Sequence, residues 1–587
     1  MPNQNRTKNL VLLCVLGFAL WGCESQQATD PGDNPNASNE TKHTDPELSV
    51  VFHELHEDSQ PAQPKPTIER EVSQDMRPLA KHRAQLAQAD ASYGSVSPQY
   101  HPVPPALPHW HTAPGRENYE DFDNNPLKWV RNDPVSTFSV DVDTASYANV
   151  RRMLNQGQLP PADAVRVEEM INYFSYNYPR TSNRTAPFSV YTEMGPSPWS
   201  TSTKLLHVGI NGWQPDNSEL PAANLVFLID VSGSMNSPHK LGLLKSAMKM
   251  MVNQLREQDT VSIAVYAGSS GTALEPTPGD QKAKINAAID NLHAGGSTNG
   301  AAGIHLAYQM AEQRFQQEGV NRVILATDGD FNVGTTNIDA LETLVERKRK
   351  SGVALTVLGF GQGNYNDHLM QKIAQIGNGN AAYIDSMSEA RKVLVEELGA
   401  TLNIIAKDTK VQIEFNPELV EAYRLVGYET RHLNREDFNN DKVDAGEIGA
   451  GHTVTALYEI TLVGDQNALI DPLRYEDAQK PQSVAGDFKT QELAFLRLRY
   501  KAPDSNSSQL IEQPLMARDI HDDLQKTSDT FRFSAAVAWL GQQLRGNRQV
   551  DEDVSAIAQL AQQAKGADQH GYRAEFIKLV KIVAALT

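Results

Sequence analysis

Cysteine is nearly missing from this chain: its 587 residues contain two, Cys14 and Cys23. That excludes a disulfide framework and a four-cysteine zinc site. Positive charge is also scarce. There are 53 Lys and Arg against 72 Asp and Glu, a net charge of −19. A phosphate backbone would be repelled, so nucleic acid is excluded as a partner. No Walker A loop is present, which argues against a nucleotide, and no Gly-x-Ser-x-Gly elbow or catalytic cysteine marks a nucleophile. Apolar residues still make up 40% of the chain, enough for sizeable cores. The length suggests three to four domains at about 100–200 residues each.

What is there begins with an export signal. Arg6 and Lys8 precede an apolar run at 10–21, 12 residues long. That length suits a signal peptide and is too short to span a bilayer. The run ends Leu20-Trp21-Gly22-Cys23, which resembles the bacterial lipobox. The resemblance implies that residues 1–22 are removed, Cys14 with them, and that Cys23 carries a lipid thioether. An ordinary signal peptide or an uncleaved anchor is the alternative. Glu24 rather than Asp follows the cysteine, which points to the outer membrane. The expected location is therefore the bacterial cell envelope, lipid-anchored, facing the periplasm or the exterior.

Residues 23–130 are rich in Pro, Gln, Asn, Asp, Ser and His. Such a segment buries too little apolar surface to offset its ordering entropy, so a disordered tether is expected there. Period-two alternation at 138–142, 188–191 and 206–210, with helical patterns at 147–156 and 165–176, sets off a segment at 131–222. From 223 to 403 the pattern turns to strand–helix–strand. Continuous apolar runs such as Leu225-Val-Phe-Leu-Ile229 read as parallel strands buried on both faces. A doubly wound α/β domain is expected. Period two returns at 404–505, and 506–587 reads as helical. The strand segments on either side of the α/β domain suggest one β-sandwich that it interrupts; two separate β modules are the alternative.

The first buried strand ends in Asp230-Val231-Ser232-Gly233-Ser234. Open α/β sheets bind ligands at the carboxyl ends of their strands. Alternate residues of this loop can converge three oxygens on one point. Two further loops, Gly295-Gly296-Ser297-Thr298 and Thr327-Asp328-Gly329-Asp330, add candidates. In order and type, Asp230, Ser232, Ser234, Thr298 and Asp328 resemble the metal-ion-dependent adhesion site of von Willebrand factor type A domains. That resemblance covers about 222–402 and implies a Rossmann-like α/β fold. Carboxylates and hydroxyls are hard ligands that suit Mg²⁺ or Mn²⁺ rather than zinc or copper. The stretches Phe138-Ser-Val-Asp-Val-Asp-Thr-Ala-Ser-Tyr147, 321–334 and Tyr423-Arg-Leu-Val-Gly-Tyr428 are similar to the bacterial YfbK-like lipoproteins. That family implies a short von Willebrand-associated segment, a type A domain and a C-terminal domain of unknown function.

Other motifs are weaker. Asp141-Val-Asp143-Thr-Ala145 places Asp and Ala where a metal loop needs serines. Asp437, Asn439 and Asp441 have calcium-loop spacing, but Lys442 replaces the turn glycine and Ile448 the bidentate glutamate. Gly359, Gly361 and Gly363 lack the third glycine of a dinucleotide fingerprint. His53, His56, His101, His109 and His111 fall in the tether.

The expectation is a non-enzymatic, membrane-anchored binding protein that captures an acidic side chain of a protein or peptide through Mg²⁺ or Mn²⁺. A structural envelope scaffold with an inert metal site is the alternative. A metal-dependent hydrolase is a third reading, with Asp330 the nearest base in sequence.

Overall fold

Residues 220–329 and 338–363 contain four parallel strands of the α/β domain, and 365–403 completes it. The computed structural model also describes residues 117–181, 186–216, 404–465, 491–547, 550 and 553–587. In chain order, β1 (Lys128–Trp129), β2 (Val135–Ser139), α1 (Ala145–Asn155), α2 (Val167–Asn172), β3 (Phe188–Pro196) and β4 (Lys204–Gly212) come first. The α/β domain follows with β5 (Ala223–Asp230), α3 (Leu243–Val252), β6 (Thr260–Tyr266), β7 (Ser270–Pro278), α4 (Lys282–Asp290), α5 (Gly300–Gln313) and β8 (Val320–Thr327). It continues through α6 (Ile338–Lys350), β9 (Ala354–Phe360), α7 (Asp367–Ile376), β10 (Ala381–Ile384), α8 (Met387–Arg391) and α9 (Leu398–Leu402). The chain then forms β11 (Ile404–Phe415), β12 (Val420–Val426), β13 (Gly446–Gly449), β14 (Thr453–Leu462), β15 (Glu492–Lys501) and β16 (Ser508–Met516). It ends in α10 (Asp529–Leu544), α11 (Val554–Gln563) and α12 (Tyr572–Leu586).

Among the described residues the central sheet runs β10-β9-β8-β5-β6-β7. All neighbours are parallel except β7, an antiparallel edge hairpin on β6. Its polar, half-exposed sequence gives β7 no apolar run, so the strict alternation expected from sequence misses it. The run in β5 divides by the strand period: Leu225, Phe227 and Ile229 enter one helix-covered core and Val226 and Leu228 the other. This two-sided burial is why β5 is apolar from Leu225 to Ile229.

The flanking strands make one sandwich. One sheet runs β1-β12-β14-β4-β3; the other runs β13-β11-β15-β16, with β2 also on β11. The two flanks are interleaved: Val208 of β4 pairs with Ala456 of β14, and Phe138 of β2 with Val411 of β11. Both sheets fill one core, with Phe138, Val208, Ile413, Phe415, Tyr458 and Leu496 all buried in it. The α/β domain is therefore an insertion into the sandwich. The C-terminal helices complete a second core with α1 and α2, where Phe174 packs edge-on against both Phe533 and Phe576. Val537 and Leu540 of α10 and Phe576, Leu579, Val580 and Val583 of α12 lie in that core.

Two boundaries move from the sequence reading. The single interrupted sandwich expected there accounts for the strands of residues 131–222, whose strands and helices are halves of shared cores. The region 506–587 opens with β16, a sandwich strand whose polar alternation hides it. Residues 117–130, expected in the tether, lie on the body. Asn118 N donates to Tyr365 O at 3.0 Å, Asn125 Nδ2 to Leu425 O and Gly427 O at 3.0 and 2.7 Å, and β1 pairs with β12. The rest of the expected tether, the signal peptide and Cys23 lie outside the described residues. Among the described residues no helix is long and apolar enough to cross a membrane.

Buried ion pairs join the insertion to its frame. Arg151 of α1 reaches Asp385 and, at 2.8 Å, Glu389 of the α/β domain, and Glu575 of α12 at 3.2 Å. Arg166 meets Asp367 at 2.7 Å.

Candidate functional site

β5 lies between β8 and β6, so its carboxyl end opens at the middle of the sheet. There Asp230 is fully buried. Its Oδ1 accepts the Ser232 backbone N–H at 2.8 Å, and its Oδ2 accepts Tyr266 Oη at 3.2 Å and Thr327 Oγ1 at 3.3 Å. Burial pushes its pKa up, the hydrogen bonds from Ser232 oppose this, and the charge on Asp328 adds to the rise. The Ser232 and Ser234 hydroxyls stand 2.9 Å apart.

The second loop is tied to the first by backbone. Gly295 N donates to Val231 O at 2.7 Å, and Gly233 N to Gly296 O at 3.0 Å. Gly296 takes φ +88° to make this turn, a region that favours glycine. Thr298 follows two residues later, half-buried, just ahead of α5. The third loop leaves β8, where Asp328 is fully buried. Gly329, at φ +89°, lets the backbone pass against Tyr365; a Cβ there would lie 2.6 Å from Tyr365 Cα. Asp330 lies outside the described residues.

The structure thus brings Asp230, Ser232 and Ser234 into one cluster and couples Asp328 to it through Thr327 and through charge. Thr298 is carried on a loop hydrogen-bonded to that cluster. Among the described residues no group of three or more His, Cys, Asp or Glu is arranged to hold a metal; this site has two carboxylates and three hydroxyls. Its donors are all hard oxygens, and its two carboxylates are buried close enough to repel. Such a set fits a hard divalent cation.

Three partners at the site escape the sequence reading. Thr327 has a signal, its adjacency to Asp328. Tyr266 ends β6 in register with Asp230, which only strand pairing reveals. Lys240 sits in a π-helical turn, Pro238–Gly242, and its Nζ lies 2.8 Å from Asp328 Oδ2. Nothing in its spacing marks it.

The weaker motifs have other occupations. Arg431 bridges Asp141 at 2.9 Å and Asp143 at 3.2 Å, and Asp143 also accepts the Ala381 N–H at 2.9 Å. Asp441 pairs with Arg499 at 3.0 Å, while Asp437 caps its own turn through the Asn434 N–H. Gly359 admits the Tyr365 ring, 2.4 Å from where its Cβ would stand.

Family models match three stretches of the chain. A family model described as von Willebrand factor type A domain matches residues 224–397. A model described as von Willebrand factor matches 113–207, and one described as Uncharacterized protein YfbK, C-terminal, matches 400–586. The Escherichia coli (strain K12) protein named Uncharacterized protein YfbK is 50% identical over 481 residues, covering 81% of this chain and 82% of that one. The human inter-alpha-trypsin inhibitor heavy chain H3 is 26% identical over 44% of this chain and 31% of its own. A solved von Willebrand factor type A protein from Catenulispora acidiphila aligns at 14% identity with a TM-score of 0.40, covering 70% of this chain and 91% of that one.

Proposed function

This chain belongs to the YfbK family, with a von Willebrand factor type A domain set into its sandwich, and from that premise we propose that it is a non-enzymatic, metal-dependent binding protein of the bacterial envelope. Type A domains serve protein–protein interaction in general. In the finer reading, Asp230, Ser232, Ser234, Thr298 and Asp328 hold Mg²⁺ or Mn²⁺. A bound ion supplies one electrophilic position for a carboxylate of a protein partner. The chain's own work is orientation. Tyr266, Thr327 and the Ser232 N–H fix the Asp230 carboxylate, and the Gly295–Gly296 backbone fixes the loop that carries Thr298. Cys23 anchors the body to a membrane through lipid.

The observation that carries this reading is the pair of fully buried carboxylates at the ends of the adjacent parallel strands β5 and β8, beside a loop whose Ser232 and Ser234 hydroxyls lie 2.9 Å apart. Burying two such charges is costly, and the ammonium beside them, Lys240 at Asp328, offsets only one. The test is capture of envelope proteins by crosslinking in intact cells, with Mg²⁺ or with EDTA, for the wild type and Asp230→Ala. Capture that needs both the metal and Asp230 supports the proposal. Capture indifferent to both removes it in favour of an inert scaffold.

A further inference from the structure

The Lys240 ammonium takes a position at Asp328 where a bound cation would also draw charge. We propose that Lys240 is a built-in competitor of the divalent ion and sets how readily this site fills. The inference rests on the metal reading above and deepens it.

The contact is constructed in several places. Asp328 is fully buried and the Lys240 side chain nearly so. Nζ to Oδ2 is 2.8 Å, a charge-assisted hydrogen bond on one of the two carboxylate oxygens. The stem of the lysine runs in a groove floored by Gly361. That residue has φ +79°, and a Cβ on it would lie 2.2 Å from Lys240 Cε. Any other side chain there would displace the lysine. The groove is itself held: Tyr383 Oη donates to Gly361 O, and Gly363 N donates to Glu117 Oε1 at 2.9 Å. At its other end Lys240 is tied to the metal loop. Its backbone N–H donates to Ser237 O at 3.1 Å, three residues past Ser234. One short segment therefore carries both serine donors and the competing cation.

The consequence follows from charge. The ammonium offsets one of the two buried carboxylate charges. A divalent ion entering beside it meets a like charge in a poorly screened site, or must displace a hydrogen-bonded partner. Either way the ion binds more weakly than two free carboxylates would bind it. Removing the ammonium while keeping its stem should strengthen binding by about tenfold or more.

The test is a Mn²⁺ titration of the full-length protein in detergent, read by calorimetry and by the spin-resonance signal of the free ion. It compares wild type, Lys240→Met, Lys240→Gln, Lys240→Arg and Asp230→Ala. Methionine keeps the stem over Gly361 and loses the charge; glutamine is read in its place if the methionine variant does not fold. Expected are tighter binding by about tenfold or more in Lys240→Met, near-wild-type binding in Lys240→Arg, and none in Asp230→Ala. Binding seen only in Lys240→Met supports the proposal equally. Equal or weaker binding in Lys240→Met than in a wild type that does bind overturns it and leaves the metal reading standing. No binding in wild type or in either neutral variant overturns both.

Discussion

Two loops of this chain open with Asp-Val, and they have opposite fates. In Asp141-Val142-Asp143 both carboxylates are buried and the cation is a guanidinium, Arg431, delivered from the loop after β12. Arginine stays charged and its planar fork binds two carboxylates at once, so this loop is closed for good. In Asp230-Val231-Ser232 the second acid is replaced by a serine, and the other carboxylate comes from a different strand. Its nearby ammonium is a lysine with a flexible stem. The lesson is that buried acids mark a site only when their counter-charge can leave. The first loop became a joint, linking the sandwich to β10 through Ala381; the second keeps oxygens available.

The largest expected break in that comparison is at the joint. Arg431→Met leaves two buried carboxylates without their partner and should cost about 3–5 kcal/mol of stability, measured by urea unfolding. A cost below about 1 kcal/mol would mean that the joint is not held by this ion pair.

The open loop should respond to ions instead. With Mg²⁺ at about 100 times its dissociation constant, binding to the folded state alone adds about 2.7 kcal/mol, read as a higher unfolding midpoint that EDTA reverses. Asp230→Asn should abolish this response, while its stability in EDTA stays within about 1 kcal/mol of wild type. A joint-like loss in EDTA would erase the distinction between the two loops.

Proton linkage sharpens the contrast further. Glu447 lines the same cavity as Asp141 and Asp143. Burial raises it to about 7, with Arg322 opposing. A carboxyl raised in the folded chain holds its proton more tightly when folded. Its contribution is full below about pH 4.5 and is lost as pH rises through about 7. Glu447→Gln keeps the hydrogen-bond partner Asn378 and should remove this loss, about 2 kcal/mol between pH 5 and 8. An unchanged slope of stability against pH would show that Glu447 does not titrate there.

The smallest effect belongs to the calcium-like turn. Arg499→Ala removes the ion pair of the exposed Asp441 and leaves it the Ser508 hydroxyl, so it should cost less than about 1 kcal/mol, with no Ca²⁺-induced rise in the unfolding midpoint of either protein.

Much of this was legible in the residues, for physical reasons. A parallel strand buried on both faces tends to carry a continuous apolar run, and Leu225–Ile229 and Val323–Ala326 announce β5 and β8. A metal loop must bring its oxygens at fixed spacing, so Asp230, Ser232 and Ser234 stand out. What escapes depends on long-range pairing. β2 meets β11 across the whole inserted domain, so alternation alone leaves one interrupted sandwich and two separate β modules both open. β7 and β16 are edge strands with one face toward water, and their patterns are diluted by polar residues. Lys240 owes its role to a groove over Gly361 that no local pattern encodes. A π-helical turn at Lys392–Glu396 separates α8 from α9, and there Lys392 turns inward to meet Glu397.

The central claim is that the loop after β5 is open to a divalent ion and the loop after β2 is not. Mn²⁺ titration calorimetry on the full-length wild type beside Asp230→Asn tests it most directly. The account predicts one saturable site in the wild type and none in the variant. Binding that survives the substitution, or no binding in the wild type at millimolar Mn²⁺ unless neutralising Lys240 reveals it, would contradict it.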